Sequence, residues 1–292
     1  MRFATLETGA GQIVAVINDD TTHYCDVARL VPGFIGDMID FIASMPSVAG
    51  LVVPAAAWQA MGQVRVLAPI PLPRRNIFCV GKNYHEHAKE FSQSGFDTAA
   101  TPGEFAPPAP VYFTKPPSTV VASGDPVLAF ANVTQQLDYE VELGVIIGHG
   151  GRGIAKADAL KHVWGYTIIN DVTARDLQQL HRQWFLGKSL DTFCPMGPWI
   201  VSADAVQSDN LGVRCWINDE LRQDANTSDL IFDIPTIIST LSAGMTLLPG
   251  DIIATGTPAG VGIGFKPPRF MRAGDVMRLE IDGLGTQTNR IA

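Results

Sequence analysis

The chain has 292 residues, of which 46% are hydrophobic and 17% charged, and its formal net charge at pH 7 is −8. This composition excludes a disordered chain and predicts one large domain, or one large and one small domain, with a substantial core. The acidic balance argues against binding to the phosphate backbone of nucleic acids, which requires a basic surface.

The cysteines and the apolar runs predict a cytoplasmic protein with no membrane partner. Cys25, Cys79, Cys194 and Cys215 form no CxxC pair, so neither a zinc knuckle nor a disulfide framework is indicated. Reduced, mostly buried thiols in the cytosol are the expected interpretation. No secretory signal is visible at the N-terminus, and no apolar run approaches the roughly 18 residues that span a bilayer.

The first part of the chain predicts a small N-terminal domain, residues 1–70, ahead of a larger domain, residues 74–292. Residues 3–7 and 12–17 alternate weakly around Gly9 and Gly11, as the strands of a hairpin do. Residues 34–43 have the apolar spacing of a helix. The proline-rich run 68–73 can continue neither a helix nor a central strand, so it predicts a stiff linker.

Beyond the linker the sequence predicts mostly short strands. A strand over residues 76–80 and a helix over 84–91 precede a polar, Gly- and Pro-rich segment, 92–110, that predicts a loop acting as a lid. The later predicted strands are 111–113, 139–147, 165–170, 199–201, 213–218, 251–254 and 276–281, and the later predicted helices are 155–162 and 234–242. The sum is a mixed α/β, strand-dominated fold with a curled or sandwiched sheet.

Acidic residues form the most informative pattern. Alternation along the predicted strand places Asp138, Glu140 and Glu142 on one face, and Asp171 ends the next strand. Neighbouring carboxylates repel unless a cation lies between them, and oxygen ligands select Mg²⁺, Mn²⁺ or Ca²⁺ over Zn²⁺. A solvated outer face would explain the alternation equally well, so the pattern alone leaves both interpretations open.

Four motifs together resemble those of the fumarylacetoacetate hydrolase superfamily, and they occur in the family's order. They are DYEVEL from residue 138, NDVTARDLQ from 170, KSLDTFCPMGPW from 188 and GTPAGVG from 256. The resemblance spans residues 76–292 and is highly specific. It implies a β-sandwich or roll of the family's type, with the small α/β N-terminal domain that many bacterial members carry.

The resemblance also implies a metal site. Two glutamates and an aspartate bind Mg²⁺ or Mn²⁺ in the family, and these match Glu140, Glu142 and Asp171. Ca²⁺ is a further candidate ion. Asp138 would then orient a ligand or a bound water molecule.

A catalytic pair is implied by the segment NYHEHAKE, which resembles the family's NYxxHAxE. His87 and Glu90 match the pair, and their spacing makes them neighbours on a helix face. Glu90 would fix the imidazole tautomer while His87 takes a proton from water. From the residues alone, His85 is a rival base and an ordinary surface helix is an alternative; the resemblance selects His87.

Further matched positions imply contacts with the substrate. Lys188 would stabilise a developing enolate or carboxylate, and Arg175 and Gln178 would line the pocket. Thr257 matches a family threonine that hydrogen-bonds a substrate carboxylate. The glycines around it would allow close approach of the backbone to an anion, although a plain tight turn would explain them equally well. Lys115 lies in another family segment without an implied role.

These roles predict a Mg²⁺-dependent hydrolase that cleaves a C–C bond in an acylpyruvate- or fumarylacetoacetate-like diketo acid, from aromatic catabolism. The alternatives are a decarboxylase or isomerase of 2-hydroxy-dienoates or oxaloacetate, a ureidoglycolate-type lyase, and a non-catalytic protein with structural Ca²⁺. The animal hydrolase has a tyrosine near the position of Arg182, which leaves the substrate of the outer pocket open. The expected partners are a small 2-oxo acid and a second copy of the chain in a homodimer.

Overall fold

Strands dominate the fold, as the sequence predicts. The computed structural model describes residues 1–62, 64–96 and 105–292, and these residues form twenty strands and five α-helices. The N-terminal elements are β1 (Arg2–Thr8), β2 (Gly11–Ile17), β3 (His23–Asp26), α1 (Met38–Ser44), β4 (Gln59–Ala60) and β5 (Arg65–Val66).

The remaining elements form the larger part of the molecule. Its first half contains β6 (Ile77–Gly81), α2 (His85–Gln93), β7 (Val111–Lys115), β8 (Val120–Ala122), β9 (Pro126–Val127), β10 (Leu137–Asp138), β11 (Val141–Ile147) and β12 (Val163–Asn170). Its second half contains β13 (Thr173–Ala174), α3 (Arg175–Leu180), α4 (Phe185–Lys188), β14 (Cys194–Met196), β15 (Ile200–Ser202), β16 (Gly212–Ile217), β17 (Glu220–Asn226), α5 (Ile234–Ser242), β18 (Ile252–Ala254), β19 (Val276–Ile281) and β20 (Gly285–Ile291).

Two sheets enclose the main core, which confirms the predicted sandwich. Thirteen of the described strands form one sheet, with the path β4-β3-β2-β1-β15-β12-β11-β18-β6-β7, and five form the other, in the order β17-β16-β19-β20-β9. The core takes its side chains from β11 and β12 on one side and from β16 and β19 on the other. Every residue of β11 is buried, because this strand lies between β12 and β18 and has both faces covered.

The N-terminal strands extend the large sheet, because β1 pairs with β15. The hairpin of β1 and β2 confirms the predicted one. Phe3 of β1 is fully buried, with its ring centroid 4.9 Å from that of Trp164 and 5.5 Å from that of Phe41 on α1. Residues 68–73 contain no strand or helix, as expected of a linker, but Ala68 and Ile70 are buried. The division into domains 1–70 and 74–292 stays a prediction.

Three of the four predicted helices differ from the observed ones, whereas α5 has its predicted bounds. The helix predicted over 34–43 begins only at Met38, because Gly36 has a φ of +149° and Asp37 forms a capping box with Asp40. The helix predicted over 155–162 is a 3-10 helix over Lys156–His162. Its N-cap residue, Ala155, has no side chain that could accept a hydrogen bond from the first turn.

The strand predicted over 139–147 begins only at Val141, and Asp138 ends the separate strand β10. The Asp138 carboxylate accepts a hydrogen bond from the backbone N–H of Tyr139, and the N–H of Glu140 donates to the side chain of Asn170. These bonds replace ladder hydrogen bonds, so Tyr139 and Glu140 lie outside any strand. The prediction that Asp138 shares a strand face with Glu140 and Glu142 is therefore wrong.

The predicted lid, 92–110, falls largely outside the described residues, since positions 97–104 are not among them. The helix that precedes it extends to Gln93, two residues beyond its predicted end. In the described ranges, no helix combines the length and the apolar character needed to cross a membrane.

Replacing Phe3 tests the packing of the N-terminal strands on the large sheet. We expect Phe3→Ala to lower the free energy of unfolding by about 3–5 kcal/mol, because it leaves a cavity between Phe41 and Trp164. Urea denaturation measures this loss. Ile35→Ala is the matched control, since Ile35 is 93% exposed and its truncation should change stability by at most about 0.5 kcal/mol. Equal midpoints for the two variants would contradict the expectation.

Candidate active site

Three acidic side chains meet where the ladder between β11 and β12 ends. Glu142 lies on β11, Glu140 precedes this strand, and Asp171 directly follows β12. Val141 pairs with Asn170, so the strand ends lie side by side, and the N–H of Asp171 donates to the carbonyl of Glu140 at 2.9 Å. One oxygen of each carboxylate lies within 4.8 Å of the other two, and all three residues are buried. The structure thus brings together the three residues predicted as metal ligands.

Buried cations neutralise two of these acids. Lys188 Nζ lies 2.7 Å from both Glu140 Oε2 and Asp171 Oδ2, and Lys115 Nζ lies 2.6 Å from Asp171 Oδ1. Burial by itself would raise the pKa of Glu140, but the charges of Lys188 and Arg175 outweigh it and lower the pKa to about 2. Lys115, which the sequence left without a role, is fully buried and holds Asp171.

Glu142 is the acid of this cluster without such a neutralising partner. Among the described residues, no lysine or arginine forms an ion pair with it, and its Oε2 accepts a hydrogen bond from the N–H of Gly256 at 2.8 Å. Burial raises the pKa of Glu142 well above its usual value, and the charges of Asp171 and Glu140 raise it further. A divalent cation would relieve this repulsion. The all-oxygen donor set therefore fits a hard ion such as Mg²⁺.

Asp138 orients an arginine. Its Oδ2 accepts from Arg175 Nε at 2.9 Å, and Arg175 Nη1 donates to Gln178 Oε1 at 3.1 Å. Although burial opposes ionisation, Glu140 and Asp138 together raise the pKa of Arg175. Nη2 lies 2.6 Å from Glu140 Oε1 but has no well-aligned hydrogen-bond acceptor among the described residues. This group is thus a buried, charged donor that a substrate anion could engage.

The predicted catalytic pair lies on α2 at the edge of the same cluster. His87 is 4% exposed, and its Nδ1 lies 3.2 Å from Glu90 Oε2. His87 and Glu140 line one cavity. The rival base, His85, is exposed and lines a different cavity together with Asp224. The structure therefore brings His87, and not His85, to the carboxylates.

Thr257 lines the same cavity and is held by a residue that the sequence did not single out. Its Oγ1 accepts from Gln223 Nε2 at 2.7 Å, and Gln223 Oε1 accepts from the N–H of Val141 at 3.2 Å. Gln223 is fully buried on β17 and so connects the Thr257 loop to the start of β11. Gln223 lies in the polar strand Glu220–Asn226, and nothing in the sequence distinguishes it there as the residue that holds Thr257.

The glycine-rich loop 256–264 binds carboxylates of the protein itself. The sequence predicted that its glycines admit a substrate anion, whereas the anions on their amides are side chains. The hydrogen bonds join Gly256 N to Glu142 Oε2 at 2.8 Å, Gly260 N to Glu90 Oε1 at 3.0 Å, and Gly262 N to Asp138 Oδ1 at 2.6 Å. One loop therefore positions a predicted metal ligand, a member of the catalytic pair and the partner of the arginine.

Trp184 lines the cavity of the site and packs against two phenylalanines. Its ring centroid lies 5.8 Å from that of Phe91 and 5.4 Å from that of Phe113, and a Cβ at Gly81 would lie 2.2 Å from its Cζ3. The cavity is partly open and has a volume of about 20 Å³, which is room for about one water molecule. Arg182, the residue expected to affect the outer pocket, is exposed and does not line this cavity.

Metal titration tests the carboxylate cluster. We expect Mg²⁺ at 100 times its dissociation constant to stabilise the wild-type protein by about 2.7 kcal/mol, seen as a rise in melting temperature. Glu142→Gln should lose this rise because it removes an anionic ligand. Without metal, this variant should be at least as stable as the wild type, because burial, Asp171 and Glu140 all disfavour a charge on Glu142. Glu86→Gln, at an exposed position of α2, is the control that should keep the rise. The same rise in Glu142→Gln would contradict a metal site here.

Comparisons with known proteins agree with this architecture. The family model for the fumarylacetoacetate (FAA) hydrolase C-terminal domain matches residues 76–292. Oxaloacetate tautomerase YisK of Bacillus subtilis (strain 168) is 52% identical over 233 residues, which are 80% of this chain and 74% of that protein. The mitochondrial oxaloacetate tautomerase fahd2 of Xenopus laevis is 42% identical over 231 residues, which are 78% of this chain and 68% of that protein.

A solved structure covers the whole chain. It is a fumarylacetoacetate hydrolase from the psychrophile Exiguobacterium antarcticum, 43% identical to this chain, with a TM-score of 0.85 and coverage of 100% of this chain and 99% of that one. The matched model spans the elements that carry every candidate site residue. The chain therefore belongs to the fumarylacetoacetate hydrolase family.

Proposed function

We propose that this protein catalyses the keto–enol tautomerisation of oxaloacetate, or of a 2-oxo acid of similar size, with a bound divalent cation. The observation that carries the proposal is the small cavity lined by His87, Glu140, Glu142 and Arg175. Two relatives at 52% and 42% identity that bear the name oxaloacetate tautomerase support it.

Tautomerisation suits the small cavity and the groups that line it. The reaction moves a proton from C3 to the oxygen on C2, and it neither consumes water nor breaks a bond between carbon atoms. It needs one proton-transferring group, a stabiliser of the enolate charge, and donors for the two carboxylates. The residues of this site can supply these groups. The segment that carries Trp184, which packs on Phe91 and Phe113, would have to move to admit the substrate.

The enolate charge would be stabilised at the carboxylate cluster. Glu140, Glu142 and Asp171 would hold the ion, which Mg²⁺ suits best and Mn²⁺ or Ca²⁺ less well. When bound, such an ion polarises the 2-oxo group and lowers the free energy of the enolate. Lys188 adds a positive charge at the same place, because Asp171 and Glu140 outweigh the effect of burial and raise its pKa.

His87 would move the proton. Glu90 accepts the hydrogen on Nδ1, which leaves a lone pair on Nε2 to take the proton from C3. The imidazolium can then return this proton to the enolate oxygen, so the group is regenerated without a second reactant. Because His87 is 4% exposed, bulk water has little access to it during the transfer.

Arg175 and Thr257 would bind the carboxylates of the substrate. Arg175 Nη2 is a buried donor with no aligned acceptor in the part of the chain that the structure describes, and a carboxylate is its best match in charge and geometry. Thr257 lines the same cavity, and its Oγ1 already accepts from Gln223. Its hydroxyl hydrogen is therefore directed away from that amide and can be donated to the substrate.

Hydrolysis of a diketo acid is the second candidate. It was the first expectation from the sequence, and the relative of known structure that is 43% identical over the full length is named a fumarylacetoacetate hydrolase. Hydrolysis needs an attacking water molecule and room for two fragments beside the metal ligands. The names of the two oxaloacetate tautomerases favour isomerisation.

Activity on oxaloacetate tests the proposal. The purified protein with Mg²⁺ should speed the decay of enol absorbance when enol-oxaloacetate is added at neutral pH. His87→Ala should lower kcat by about 10²–10⁴-fold and keep the Mg²⁺-induced rise in melting temperature, since it removes the proton-transferring group only. Glu140→Ala should abolish metal-dependent turnover. His85→Ala, at the exposed rival position, is the control that should retain the rate.

Product analysis separates the alternatives in the same assay. Acetate and pyruvate formed from acetylpyruvate would favour hydrolysis, and pyruvate with CO₂ formed from oxaloacetate would favour decarboxylation. A wild-type protein that leaves the enol decay unchanged would overturn the tautomerase proposal.

Exposed apolar residues on α3 and α4 support the predicted homodimer. Leu180 is 72% exposed, Phe185 48% and Leu186 40%, and such side chains commonly become buried in an interface. These side chains lie on α3 and α4, the helices that carry Arg175 and Lys188. Contact with a second copy of the chain would therefore restrict the motion of these two helices. Light scattering coupled to size-exclusion chromatography measures the oligomeric state.

A further inference from the structure

We infer that Gly264 is a positioning residue that directs His87 through Glu90. The inference rests on the proposed role of His87 as the proton-transferring base. Gly264 is not one of the glycines whose backbone N–H groups bind carboxylates. The inference follows from the missing side chain of Gly264, which leaves room for a neighbouring residue.

The side chain of Glu90 occupies the space where a larger residue at position 264 would put its Cβ. That Cβ would lie 1.7 Å from Glu90 Oε1, 2.3 Å from its Cδ and 2.7 Å from its Cγ, and these are the three nearest atoms. Gly264 does not have a positive φ, so its backbone conformation is open to alanine. Glycine is therefore required here for space and not for conformation.

The carboxylate that fills this space is held from two further sides. The N–H of Gly260 donates to Glu90 Oε1 at 3.0 Å and lies 3.3 Å from Oε2. Glu90 Oε2 in turn lies 3.2 Å from His87 Nδ1. A shift of the carboxylate away from Gly264 would therefore change both contacts, and with them the direction of the imidazole ring.

The loop beneath Glu90 is itself anchored, so it cannot easily follow such a shift. The Tyr139 hydroxyl donates to the carbonyl of Gly260 at 2.8 Å, and a Cβ at Gly260 would lie 1.9 Å from the carbonyl oxygen of Arg222. The N–H of Gly262 donates to Asp138, the partner of Arg175. Displacement therefore falls on the flexible Glu90 side chain and not on the loop.

Gly264→Ala should consequently separate catalysis from folding and binding. Glu90 is a flexible side chain, so it can move aside at small cost to the stability of the fold. The Mg²⁺-induced rise in melting temperature and KM should stay near wild-type values, because the carboxylate cluster and Arg175 do not contact Gly264 closely. The value of kcat should fall by about 100-fold, the size of effect that misplacement of a catalytic group by 1 Å produces.

A double-mutant cycle makes the test specific. Glu90→Asp alone shortens the side chain by one methylene and should also lower kcat, because the carboxylate no longer reaches His87 and Gly260 together. In Gly264→Ala/Glu90→Asp the added methyl group fills the space that the shorter side chain vacates. The combined loss should be at least about 10-fold smaller than the product of the two single losses.

The control variant is Gly244→Ala, beyond the end of α5. A Cβ there would meet no atom within 4 Å, and Gly244 has no positive φ, so kcat and stability should be unchanged. It lies outside the candidate site and reports the effect of a glycine-to-alanine change by itself.

Amide hydrogen exchange gives a readout that does not depend on the reaction. Exchange at Gly260 and along α2 should be faster in Gly264→Ala than in the wild type, and the double variant should restore it. Exchange in β11 and β12 should not change, since these strands carry the main core.

The outcomes distinguish the inference from the proposed function. A wild type that does not act on oxaloacetate, with the exchange pattern as expected, would remove the proposed function and leave the position of Glu90 on Gly264 supported. Unchanged exchange in Gly264→Ala, or kcat losses that simply multiply in the double variant, would overturn the inference.

Discussion

The repulsion between three buried carboxylates at the end of one β-ladder is the constraint on which the rest of the site depends. Two like charges 4 Å apart repel by about 4 kcal/mol at an effective dielectric constant of 20. The pairing of β11 with β12 nevertheless holds Glu140, Glu142 and Asp171 together. The surrounding chain offsets this repulsion with buried cations, since Lys115 is 0% exposed and Lys188 is 2% exposed.

The compensation is incomplete, and this has a functional consequence. The buried cations Lys115, Lys188 and Arg175 contact Glu140, Asp171 and Asp138, while the hydrogen-bond partner of Glu142 within the described ranges is a backbone amide. A cluster with one acid in excess is a binding site for a cation, and its oxygen donors select a hard one. Lys188 and Arg175 neutralise the acids, and in the proposed function they also bind the substrate anion. The same arrangement therefore serves the fold and the proposed chemistry.

The glycine loop 256–264 connects the ladder between β11 and β12 to site residues that lie outside it. Its amides bind Glu142, Glu90 and Asp138, which come from a strand, a helix and a two-stranded ribbon. Through these bonds the proposed base and the arginine share one support. Relatives of this chain bear the names of tautomerases and of hydrolases.

Local patterns were enough to predict much of the fold and the centre of the site. The sequence by itself determined the hairpin of β1 and β2 and the bounds of α5 and β19, because periodicity is a property of neighbouring residues. Periodicity left Glu140, Glu142 and Asp171 open to a solvated outer face, and the motifs that resemble those of the family selected them as predicted metal ligands. The sequence did not determine the break after Asp138, where a side chain takes over a backbone hydrogen bond.

Only the tertiary structure decided the partners of the site residues. Gln223 beneath Thr257, Trp184 over Gly81 and Glu90 against Gly264 are contacts between residues far apart in the chain. Such contacts depend on how the two sheets and α2 pack, and no local spacing encodes them. A glycine that is needed for the space it leaves looks the same in sequence as one that is needed for a turn, and only the neighbour across the gap distinguishes the two.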